Sequence, residues 1–229
     1  MPFYFDYYYL ILVVPAIIIT LIAQANVKST FNKYSKISSA RGLTGSQAAR
    51  IILDANGLQH VGIERVRGNL SDHFDPRTNI ISLSEGVFNS TSVAAIGVAC
   101  HEVGHAIQHS VSYFPIKVRT AIVPITNFGS KLSFPLILMG LFFYPPFVTV
   151  GIWLFSLVVV FQLVTLPVEF NASRRAIKSI ESSYVLEGSE IAEARKVLNA
   201  AALTYLGALI LSLAQLLRLI LLFGRRNNN

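Results

Sequence analysis

Four stretches of the chain are apolar without the regular polar spacing of a soluble element: residues 7–25, 132–144 with a weakly apolar extension upstream, 147–168 and 203–223. A helix needs about 20 such residues to cross roughly 30 Å of hydrocarbon, so each stretch predicts a transmembrane helix. Tyr144-Pro145-Pro146 separates the second from the third and predicts a turn, which makes these two a hairpin. The chain between the first two runs has a different rhythm. SQAARIILDA at 46–55 spaces its apolar residues as a helix does and stops at Asn56-Gly57. Residues 61–67 alternate Val, Ile and Val with polar positions, and 79–83 are β-branched and apolar after Asp75-Pro76-Arg77, so two or three short strands are expected. From 92 to 110, small and apolar residues run without proline behind Ser90, Thr91 and Ser92, any of which can cap a helix. The expected fold is a mainly α membrane protein of about four transmembrane helices plus a small α+β soluble layer with a short β-sheet. Its parts are an N-terminal anchor (1–25), a soluble segment (26–116), a transmembrane hairpin (117–168), a second soluble helical part (169–202), and a final helix and tail (203–229).

Composition supports the membrane reading. The 229 residues are 53% hydrophobic and 14% charged, and the mean hydropathy of +0.55 is too high for an ordinary soluble domain of this size. A net charge of +7 would suit nucleic acid, but sixteen of the nineteen Lys and Arg lie between Lys28 and Lys131 or between Arg174 and Lys196. Basic residues so placed flank the spans on one side, which predicts that both soluble parts and their site face the cytoplasm, with no nucleic-acid partner. The first run has no basic residues before it and no small-residue cleavage pattern after it, as expected of a retained anchor. Tyr4, Tyr7, Tyr8, Tyr9 and Trp153 read as interface or span residues. Arg218 needs a partner or a route to the interface, and Arg225 and Arg226 follow it, so a tilted or interfacial final helix stays open beside a spanning one. The single Cys100 forms no internal disulfide and reads as helix packing.

The chemistry is concentrated in His101-Glu102-Val103-Gly104-His105. On a helix, HExxH sets two imidazoles on one face one turn apart, with a carboxylate beside them. Two neutral imidazoles fill two corners of a zinc tetrahedron, a third protein ligand another, and the last holds a water whose pKa falls toward about 7. Glu102 is placed to take that water's proton as it attacks a peptide carbonyl. One Zn2+ per chain is expected. Gly104 lets another backbone or a substrate approach the helix.

The third ligand has to come from the same side of the membrane. The hairpin leaves that side near Lys131 and returns near Glu169, the first residue of EFNASRRA, which makes Glu169 the leading candidate. HEVGH, a membrane hairpin and then ExxA resemble membrane-integrated gluzincins of the HtpX type. Together with LSDHFDP at 70–76, they resemble more closely the YugP-type neutral zinc metallopeptidases, over most of the chain. The resemblance implies a zincin-like soluble part, zinc on His101, His105 and Glu169, Glu102 as general base, and an integral protein of the bacterial plasma membrane. Ser173 departs from the HtpX pattern, which carries Asp four residues after the glutamate. Another group is then expected to orient a zinc-bound histidine, with Asn171, Asp72 and Asp75 as candidates, and Ser173 itself stays a candidate for supporting the site or the substrate.

His73 is a candidate donor to a developing oxyanion, against the alternative that Asp72-His73 and Asp75-Pro76 form a hydrogen-bonded turn. Arg174 and Arg175 are candidates for holding a substrate carboxylate, and membrane anchoring accounts for them equally well. His109 reads as solvent-facing or interfacial, and His60 has no supporting partner in sequence. The edge of the small sheet can pair with an extended substrate or simply pack the helix. The function expected is a membrane-embedded zinc endopeptidase acting on peptide or protein substrates, in a role such as membrane-protein quality control. The alternative is a catalytically inactive zinc-binding membrane scaffold, with a membrane adaptor or a second copy of the chain as a partner. A metal transporter fits less well, because the histidines lie outside the spans.

Overall fold

The computed structural model describes residues 6–68 and 71–223, and the expectations that fall on Tyr4, Leu70, Arg225 and Arg226 lie outside them. In chain order the elements are α1 (Val14–Tyr34), α2 (Gly45–Ala55), β1 (Gly62–Val66), β2 (His73–Asp75), β3 (Ile80–Ser84), α3 (Glu85–Phe88), α4 (Val93–Ser110), α5 (Phe114–Phe142), α6 (Pro146–Ser182) and α7 (Ser189–Phe223). They divide into two compact units. One takes Met1–Gln24, Lys117–Pro167 and Leu203–Asn229, and the other takes Ala25–Ile116 and Val168–Ala202.

The first unit is built from four helices long and apolar enough to cross a membrane. Ile18, Leu21, Ile22, Trp153, Leu163 and Leu217 are exposed on it, as side chains facing lipid would be. A π-helical turn, Tyr9–Val13, precedes α1, with the Val14 N–H bonded to Tyr9 O. Pro15 comes next and has no N–H with which to continue an α ladder, and the widened turn takes up that gap. Small residues set the close approaches. A Cβ on Gly151 would lie 2.6 Å from Ile137 Cγ1 and 2.8 Å from Ser133 O, and the Ser133 hydroxyl donates to Gly151 O at 2.8 Å. Thr20 Oγ1 is shared between Ala16 O at 2.8 Å and Gly207 O at 3.1 Å. Pro124 and Pro135 stand inside α5. Arg218 has its partner: Nε and Nη2 donate to Asp6 Oδ2 at 2.8 and 2.6 Å, with the guanidinium 5.2 Å from the centre of the Tyr9 ring. The pair is almost fully buried, so Arg218 has no need to snorkel.

The second unit has an aliphatic core. Thr44 opens α2 with a capping box, its hydroxyl accepting from the Gln47 N–H while the Gln47 side chain accepts from the Thr44 N–H. The sheet has order β1-β3-β2. β1 runs parallel to β3, Gly62 opposite Ile80 through Val66 opposite Ser84, and β2 runs antiparallel to it, His73 opposite Ser82 and Asp75 opposite Ile80. The turn into β3 ends at Asn79, whose φ of 55° is a left-handed value that asparagine tolerates better than most side chains. Ile81 and Leu83 of β3 pack with Ile52 and Leu53 of α2, Ile96 and Val103 of α4, Ile180 of α6 and Leu198 of α7. Full burial of each such side chain contributes roughly 1.5–3 kcal/mol. Ser92 caps α4 through the Ala95 N–H.

Candidate metal centre

Two contacts of small residues decide where α4 lies within its unit. A Cβ on Gly97 would rest 3.5 Å from Ala194 Cβ, an ordinary contact, whereas one on Gly104 would run into the carbonyl of Ala172. Only a residue without Cβ lets α4 meet α6 so closely there. Glu169 stands one turn before Ala172 on α6 and is thereby brought opposite the face that carries His101 and His105.

Among the described residues, the donor atoms of His101, His105 and Glu169 gather within 4.8 Å of one another. Glu169 Oε2 lies 3.3 Å from His101 Nε2 and 3.6 Å from His105 Nε2. In a tetrahedral zinc site with bonds of about 2.0–2.2 Å, neighbouring ligand atoms stand roughly 3.4 Å apart, so the donor types and the two glutamate–histidine separations fit that ion. The two imidazoles meet edge to face with centroids 4.8 Å apart. Glu102 is buried and is not one of the three converging donors. Burial works against a charge on His105, but Glu169 at Nε2, the nearby charge of Glu102 and Gln108 at Nδ1 outweigh it and hold the imidazole above the ordinary histidine range. A site this negative attracts a cation, and a metal binding there displaces the proton.

The far nitrogens are held as well. Ser173 Oγ is 3.1 Å from His101 Nδ1, and Gln108 Oε1 is 3.0 Å from His105 Nδ1. This corrects the expectation that the serine leaves His101 to be oriented by Asn171, Asp72 or Asp75. A hydroxyl four residues after Glu169 reaches the same ring nitrogen that a carboxylate would. Asp72 instead accepts from the Ser84 N–H and hydroxyl, at 2.7 and 3.0 Å. Asp75 accepts from the Arg77 N–H and guanidinium, which hold its carboxyl below the usual range. Asn171 lies one step out, its Oδ1 accepting from Gln108 Nε2 at 3.1 Å and from Arg175 Nε at 2.7 Å.

Arg175 also lies over the Tyr113 ring at 5.8 Å, and Arg174 is exposed. His73 is exposed at the head of β2 with Nδ1 2.8 Å from Ser71 O. A carbonyl only accepts, so Nδ1 carries the hydrogen and a neutral His73 presents a lone pair at Nε2. Donating to an oxyanion would require the imidazolium, and His73 stands in strand β2 rather than in a turn. His109 is half-buried and tilted against Phe74 at 5.5 Å rather than facing solvent. Burial pushes the Cys100 thiol up, as for a packing residue. Gln108 is the residue that sequence reasoning missed. Its signal was a long polar side chain three positions after His105 in an otherwise small and apolar run, and it is fully buried.

Residues 9–224 match the model of a family described as "Putative neutral zinc metallopeptidase". The chain is 46% identical over 224 residues to the "Putative membrane protease YugP" of Bacillus subtilis (strain 168), an alignment covering 96% of this chain and 99% of that protein. No solved structure matches it.

Proposed function

The chain belongs to the neutral zinc metallopeptidase family, and from that membership we propose that it is a membrane-embedded endopeptidase with Glu102 as its general base. The observation that carries this is the convergence of His101, His105 and Glu169, with a buried carboxylate next to His101 that stays out of the donor set. These three residues would hold one zinc ion, which when bound polarises a carbonyl and lowers the pKa of a water to about 7.

The remaining chemistry belongs to side chains. Glu102 takes a proton from the attacking water as its oxygen bonds to the scissile carbonyl carbon. It then delivers that proton to the amide nitrogen as the C–N bond breaks. Ser173 and Gln108 hold the two imidazoles so that both Nε2 atoms face Glu169. β2, an edge strand packed beside α4 through Phe74 and His109, offers free backbone groups to an extended substrate. A structural zinc site in a scaffold has no use for a buried general base, which favours the enzyme.

Glu102→Gln tests this reading. Purified in lipid nanodiscs, the variant is expected to retain its zinc and to lose peptide hydrolysis by about 10²–10⁴-fold. Cleavage at the wild-type rate would refute the role of Glu102. The proposed cytoplasmic orientation is supported by the placement of the basic residues. It predicts that a cysteine at the exposed position Lys178 reacts with a membrane-impermeant maleimide only after the cytoplasmic side is opened, and labelling of intact cells would reverse the topology.

A further inference from the structure

We infer that Gln108 is a positioning residue that fixes the tautomer of His105, through an amide whose own orientation is set by Val168, Asn171 and Arg175. The inference rests on the zinc peptidase reading above and adds to it the group that makes His105 able to bind.

Arg175 can only donate, so the atom of Asn171 that lies 2.7 Å from its Nε is the oxygen. The Val168 main-chain carbonyl can only accept. Gln108 places one amide atom against both, 2.8 Å from Val168 O and 3.1 Å from Asn171 Oδ1. With two acceptors in front of it, that atom is the NH2, and each of its hydrogens has a partner. Turning the amide over would bring its oxygen against two other oxygens in a place closed to water, since Gln108 is fully buried.

The Gln108 oxygen therefore faces His105 Nδ1 at 3.0 Å, and it only accepts. Nδ1 must carry the hydrogen. The neutral ring then has its lone pair on Nε2, the atom turned toward Glu169 Oε2. The opposite tautomer would point an N–H at the metal position and block it. His101 is held less strictly, because the Ser173 hydroxyl can donate or accept. Gln108 thus does for His105 what a carboxylate or carbonyl does behind many zinc-bound histidines, with an amide that has to be aimed.

The test uses the full chain in lipid nanodiscs, with zinc affinity read by competition against a chelator. Gln108→Met keeps the length and removes the acceptor, and is expected to bind zinc about 10–100-fold more weakly. Unchanged affinity in Gln108→Met overturns the inference. A second readout is the 15N shift of the His105 ring in the zinc-loaded wild type, assigned by its loss in His105→Ala. Protonated Nδ1 with metal on Nε2 is expected, and metal on Nδ1 overturns the proposal. A wild type that binds no zinc defeats the zinc peptidase reading itself and this inference with it.

Discussion

The two units use the same aliphatic side chains in opposite senses. In the unit of the long spans, Ile18, Leu21, Leu163 and Leu217 point outward, while glycine contacts and the buried Asp6–Arg218 pair lie inside. In the other unit, Ile52, Ile81, Leu83, Ile96 and Ile180 are wholly buried around the helix that carries the histidines. Water drives the second arrangement. In the first, lipid is as apolar as leucine, so packing and polar pairs have to hold the helices. A lesion in one unit should therefore fail differently from a lesion in the other.

The largest effect on the site is expected at Gly104. In Gly104→Ala the new methyl group collides with Ala172 O, and the helices have to part at the point that brings Glu169 to the histidines. Overpacking of this kind costs about 1–3 kcal/mol. A displacement near 1 Å is enough to lower peptide hydrolysis about 10²-fold. Zinc affinity is expected to fall with activity, while the protein still inserts in membranes. Wild-type zinc affinity and turnover in Gly104→Ala would show that this crossing does not place the ligand.

In the spanning unit, Arg218→Met leaves the half-buried Asp6 without its guanidinium and is expected to destabilise the protein by about 1–3 kcal/mol. Replacing both residues in Asp6→Leu/Arg218→Met is expected to recover most of that loss, since an apolar pair of similar volume avoids the desolvation cost. Denaturation in detergent reads the stability, and the chelator assay on the same samples is expected to give wild-type zinc affinity. If the double variant were no more stable than Arg218→Met, the pair would be contributing something other than mutual compensation of charge.

The sequence announces whatever repeats locally. Long apolar runs became the long helices, HEVGH lies on α4 as its spacing requires, and Glu169 was singled out because the hairpin had to return it to the same side. What escaped is set by distance or by competition. Asp6 and Arg218 are 212 positions apart, and no local pattern joins them. At residues 72–76 the sequence offers a turn as the alternative, because Asp72, Asp75 and Pro76 favour turns and a three-residue edge strand carries too little alternation to outweigh them. Ser173 ranks only as one candidate among several because it lacks a carboxylate, although ring orientation requires only a hydrogen-bonding group at the right place. Gln108 was overlooked because its role depends on Val168 and Asn171, sixty and sixty-three positions away.

The smallest effect gives the finest comparison, one hydrogen-bonding side chain in each unit. Ser92→Ala removes the cap of α4, leaving the Ala95 N–H without an acceptor in a buried place, and is expected to cost about 1 kcal/mol. Thr20→Val removes a hydroxyl shared between Ala16 O and Gly207 O, one in its own helix and one in α7. Both of those carbonyls also belong to helical backbone ladders, and in a bilayer the separated helices find other partners for such groups. The expected loss is therefore smaller, about 0.6 kcal/mol, despite the absence of water. Measured in the same nanodiscs by the same unfolding assay, the soluble cap should cost more than the buried membrane hydroxyl. The reverse order would mean that polar contacts in the spanning unit carry more of its stability than glycine packing does.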